Sequence, residues 1–361
     1  MKMNASLLRH LVAVAAFSAL ALTGAQAQTT ATTDPVGFLT MAIAGGGTVA
    51  APAYTFTTLG LFNAVALQST TTSVGASTTL ADANATWADN QYNTNGVVTN
   101  ANGVAPSHFV EIVSGPGAGT QYDIWGTVNA TKTLNLGGPL LNSITSGASY
   151  KIRPHWTIVG IFGATVNTAG GLTGATTAGN ADQIQLFRTG GFVTYYYSTG
   201  GLAGTGWRQF GVAGDASTAV IYPDDGLVIL RRQSAPVNLV ISGAVKTGQT
   251  SIPVVQGYSL LGNVYAAGMT LGTSGLYTTD SSTGVAPGNG STTGDQILIW
   301  NGTAGYNTFY YGSGGLQGTG WKQFGVSGDA SGTAIAVGSA LFIKRAGASF
   351  NWVAPQTPAS F

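Results

Sequence analysis

The chain has no cysteine among its 361 residues. Disulfides, cysteine-held zinc, a thiolate nucleophile and an attached c-type haem are therefore excluded. Charge is nearly as scarce, at 7% of residues with a formal net charge of +1, where an ordinary soluble domain carries about 25%. No long-range field draws phosphate, so nucleic acid is not an expected partner. Glutamate occurs once, as Glu111, and histidine at His10, His108 and His155. Acid-base chemistry would have to rest on aspartate. Also missing are a G-x-S-x-G nucleophile elbow and the acidic run of an EF-hand loop. The Gly115-Pro116-Gly117-Ala118-Gly119 stretch lacks the Gly-Lys-Ser/Thr ending of a phosphate loop and reads as a hairpin loop. These absences predict a non-enzymatic protein with no catalytic residue, metal site or cofactor.

Residues 1–27 have the three parts of a secretory signal. Lys2 and Arg9 give a charged start, Leu11 to Leu22 the apolar stretch, and Ala25-Gln26-Ala27 a small-residue cleavage site. Export to the periplasm, outer surface or exterior is the expectation. No later apolar run reaches the roughly twenty residues of a spanning helix, so no transmembrane helix is expected after signal removal. Glycine is abundant, with 54 residues, and punctuates short apolar runs that never sustain a helical period. Strands are the default. In Tyr150-Lys151-Ile152-Arg153, apolar groups fall on one face and charges on the other, as a half-buried strand requires.

An internal repeat is the strongest signal. Residues 200–217 read GGLAGTGWRQFGVAGDAS and residues 314–331 read GGLQGTGWKQFGVSGDAS, identical at 15 of 18 positions. The likeness extends upstream to Asp182-Gln183-Ile184 and Asp295-Gln296-Ile297, and downstream to the segments ending at Arg231 and Arg345. Two copies are too few for a solenoid. The predicted fold is all-β: tandem duplicated antiparallel sandwich or barrel-like units plus a small β module. The expected division is an N-terminal arm and first strand at 28–64, an inserted module at 65–154, repeat one at 155–245 and repeat two at 246–361.

Aromatic side chains are the plentiful functional material. Trp207 and Trp321 occupy equivalent repeat positions, and flat rings stack on sugars while Gln209 and Gln323 bond hydroxyls. The competing role is filling a glycine-rich core. Alternation puts Tyr196 on the face opposite Tyr195 and Tyr197. Val36-Gly37-Phe38-Leu39-Thr40-Met41-Ala42-Ile43 is strand-competent, and Val36, Phe38 and Ile43 are candidate anchors for pairing with a neighbouring subunit. Its alternative is the first strand of its own domain. His155 follows Pro154 at a domain junction, where packing is favoured over catalysis, and Asp224-Asp225-Gly226 reads as a turn before a strand.

Thr33-Asp34-Pro35-Val36-Gly37-Phe38, the segment 112–119, Ala181-Asp182-Gln183 and Tyr222-Pro223-Asp224-Asp225-Gly226 before Arg231-Arg232 together resemble an uncharacterised paralogous family of exported, verrucomicrobial-type bacterial proteins. The middle segment, from Trp87 to Leu136, resembles small β modules of phage fibre and surface proteins. The resemblance implies export and β structure, and brings no activity or site residues. The function expected is a structural or adhesive surface protein, partnered by itself or by other cell-surface components. The alternative is a glycan-binding protein using Trp207, Trp321, Tyr196, Gln209 and Gln323.

Overall fold

A computed structural model describes residues 34–93, 105–166, 171–303 and 305–355. The expected leader at 1–27 and the stretch 28–33 lie outside the described residues. The described chain is almost wholly antiparallel β, with one five-residue helix, Ile158–Phe162, whose first turn is capped by the Thr157 hydroxyl.

Both repeats build the same sheet. In repeat one the strand order is Thr205–Gln209, Gly191–Thr199, Gln183–Arg188, Leu227–Arg231, Ala53–Thr57. Repeat two gives Thr319–Gln323, Tyr306–Ser313, Gln296–Trp300, Ala340–Arg345, Gly257–Gly262. Each sheet is accompanied by a two-stranded ribbon, Val36–Ile43 with Val237–Ala244 in one and Thr250–Val254 with Phe350–Ala354 in the other. Pairing thus joins residues 36–57 to the strands of residues 155–245. Repeat one starts at the ribbon, and the small module sits between its second and third strands.

That module is a six-stranded sheet ordered Leu67–Thr70, Ser149–Pro154, His108–Ile112, Gln121–Val128, Thr133–Leu136, Thr79–Ala81. It curls until its edges nearly meet, where the Thr72 N–H donates to the Ala81 carbonyl at 2.7 Å. A bulge between Ile124 and Gly126 supplies the bend. Residues 115–119 join two paired strands, as a hairpin loop should.

The repeats pack on each other with pseudo-twofold symmetry. The Thr58 N–H donates to the Gly338 carbonyl at 3.1 Å, and its counterpart Gly262 donates to Asp224, the counterpart of Gly338, at 2.9 Å. Isolated bridges Thr57 to Ser339 and Leu261 to Asp225 obey the same rule. Such reciprocity is the mark of an isologous interface, here formed within one chain. Its dry centre is Val228, Leu230, Leu260, Ala340 and Phe342. Gly262 sits where any Cβ would collide with the Thr58 side chain.

Scarce charge is spent inside. Asp182 pairs with Arg231 and also accepts the Thr173 and Arg232 backbone N–H groups, both at 2.7 Å. Asp295 repeats the device with Arg345, accepting Ala286 at 2.7 Å and Ala346 at 2.8 Å. A second network ties the module to both flanks: Glu111 receives Lys246 and Arg153, while Arg153 and Lys151 also hold Asp34.

Candidate functional site

The five residues expected to bind glycan do not form one surface. Trp207 and Trp321 are buried. The Trp207 indole N–H donates to the Gly163 carbonyl at 2.8 Å, and its ring meets the edge of Tyr197 at 5.5 Å; Trp321 meets Tyr311 in the same way at 5.6 Å. Strand alternation explains the burial. Trp207 lies opposite Tyr197 in the ladder and faces the core, with Gln209 and Gln323 half-buried at the ends of their edge strands. Tyr196 points to the opposite face and is covered by Ala178 and Ala181. The indoles are therefore core residues, correcting the stacking role, and no shared groove collects them with Tyr196.

Val36–Ile43 pairs with its own chain, so it is not a free arm. Alternation splits its anchors: Val36 and Phe38 are 80% and 73% exposed, while Ile43 is buried with Met41. Ile43 is thus a core residue and not available to a neighbour. The Asp215 carboxylate is a turn device, accepting the Ser217 N–H at 3.2 Å, and Asp329 repeats it with Ser331 at 3.2 Å. His108 and Glu111 do not meet. His108 bonds the Ser107 hydroxyl at 2.9 Å, and burial, with His155 charge second, lowers its pKa to about 4.

Ionisable groups gather instead in a cleft of about 470 Å³ where all three units meet. The six-stranded module contributes Phe109, Tyr122 and Asp123, repeat one His155, Tyr222, Asp224 and Asp225, and repeat two the uncharged Thr250, Ser251 and Pro253. His155 Nε2 lies 3.0 Å from Asp123 Oδ1, and the Tyr222 hydroxyl donates to Asp123 Oδ2 at 3.2 Å. Burial, then the Asp123 charge, pushes the Tyr222 phenol well above its ordinary value, so it stays protonated and can donate to Asp123. Asp225 is clasped by Arg188, with Nη2 to Oδ2 at 2.7 Å. Asp224 has no such partner. Burial foremost, then the Asp225 charge, raises its carboxyl to about 7.

Asp123, His155 and Tyr222 are too far apart in sequence for any spacing rule to join them. A signal did exist in the copy difference, since Asp224-Asp225 stands where repeat two has Gly338-Ser339.

No family model matches the chain, and neither the curated proteins nor the solved structures contain a match. Among the described residues, no helix is long and apolar enough to cross a membrane.

Proposed function

We propose that this chain is a non-enzymatic, exported structural or adhesive protein that assembles through β-strand contacts. The observation carrying this reading is the ribbon Val36–Ile43 with Val237–Ala244. Among the described residues the first strand has a ladder partner on one side only. Edge strands usually block further pairing with lysine, proline or an inward charge. This one has none of them, and the ribbon's outward face adds Val240 of the strand Val237–Ala244, 69% exposed, to Val36 and Phe38.

A second set of exposed apolar side chains supports the same reading. Leu202, Phe210 and Val212 in repeat one, and Leu316, Phe324 and Val326 in repeat two, are all exposed at equivalent loop positions. Low net charge leaves little repulsion to keep copies apart. Export, the cell-surface setting and the absence of catalysis rest on the sequence reading.

Sedimentation equilibrium across a concentration series tests the assembly. The parent protein should gain mass with concentration, and a Val36→Thr, Phe38→Thr, Val240→Thr variant should remain monomeric with an unchanged melting temperature, since these side chains bury little. A parent that stays monomeric throughout refutes the reading.

A further inference from the structure

The pseudo-twofold axis gives the three-way cleft a natural control. Where the turn 336–339 of repeat two meets the first strand of repeat one, the equivalent hollow is about 200 Å³ and has no ionisable side chain in its lining. On the other side, the turn 222–225 carries two aspartates in place of Gly338 and Ser339, and the inserted module adds a wall bearing Asp123. The two copies keep the same fold and the same buried Asp–Arg pairs. At this place they differ, and the difference adds space and acid together.

The chemistry of the lining is one-sided. Three carboxylates belong to the cleft, whereas Arg188, the cation beside them, is committed to Asp225 and to the Val220 carbonyl. Asp224 faces the negative charges of Asp225 and Asp123, and no basic residue of the module or of repeat two lines the cleft. The His155 side chain is 1% exposed and its Nδ1 has no hydrogen-bond partner. With Nε2 directed at Asp123, Nδ1 can accept a hydrogen bond when the ring is neutral. A buried acceptor without a donor is costly. Phe109, Tyr122, Tyr222 and Pro253 give the remaining wall an apolar character that suits a carbon stem.

We propose that this cleft binds an organic cation, an ammonium or guanidinium group carried on an apolar stem, with Asp224 as its counter-ion and His155 Nδ1 as a hydrogen-bond acceptor. The site is independent of the assembly surfaces, which lie on other residues. Its pH dependence follows from Asp224: the cation prefers the ionised carboxylate, so binding tightens as the pH rises through about 7.

Calorimetric titration of the full chain with benzylammonium chloride tests this, with benzyl alcohol as the uncharged counterpart and calcium chloride as competitor. The expected result is saturable one-to-one binding of benzylammonium, about tenfold tighter near pH 8 than near pH 6. Asp224→Asn should weaken it about tenfold and abolish that pH dependence. Gly138→Phe should block it without touching charge, because a Cβ at Gly138 meets nothing within 4 Å. The second variant also decides the matter if Asp224→Asn fails to fold. Absence of saturable binding, equal binding of benzyl alcohol, displacement by calcium, or full affinity in a folded Asp224→Asn or Gly138→Phe variant would each overturn the proposal.

Discussion

Asp182 and Asp295 show what a nearly uncharged sequence does with its few ionic groups. Each carboxylate is fully enclosed and satisfied by one arginine and two backbone N–H groups. Removing one partner of such a pair leaves an uncompensated buried charge. Asp182→Ala or Asp295→Ala should therefore cost about 3 to 5 kcal/mol in denaturant unfolding, whereas exposed Asp280→Ala should cost little. Asp224 is the opposite case, because its folded pKa of about 7 lies above the ordinary 3.8. The unfolded chain gives up this proton first, so stability should fall as the pH climbs between those values and level off above them. Asp224→Asn should flatten that decline and leave the protein more stable than the parent near pH 8, measured by thermal melts across pH. These roles were partly legible: the matching of Asp182 with Asp295 and of Arg231 with Arg345 was visible as repeat, but their pairing was not, because partners about fifty residues apart meet only after the sheet forms.

At the level of elements, legibility followed hydrophobic runs. Thr133–Leu136 and Leu227–Arg231 were marked out in the sequence by branched or large apolar side chains against glycine-rich surroundings. Thr205–Gln209 and Thr250–Val254 were not, since the first carries Gly206 and a single core side chain and the second contains Pro253. Their place comes from ladder partners and not from local preference. The ribbon strand Val36–Ile43 was readable as a strand, but its pairing with Val237–Ala244 is a tertiary fact that periodicity does not reach. Alternation then decides its two faces: Met41 and Ile43 hold it to the core, and Val36 and Phe38 are left outside. The same rule buries Trp207 and Trp321, so aromatic abundance alone does not mark a site.

For the whole molecule, duplication sets the frame and insertion breaks its symmetry. Two copies of one sheet and ribbon bury a common apolar seam, and the six-stranded module enlarges one of the two hollows beside that seam. The repeat made the duplication evident in the sequence, while the hollow needed three distant segments to be placed together. Among the described residues, the strand Val36–Ile43 keeps one edge without a ladder partner and apolar side chains are exposed at matching repeat positions, and assembly is their proposed use. Hydrogen exchange at the amides of Val36–Ile43, followed at low and high protein concentration, tests that claim most directly. Amides already paired to Val237–Ala244 should be slow in both, and the outward-facing ones should change from fast to slow as concentration rises. Exchange in this strand that is the same at every concentration would contradict the account.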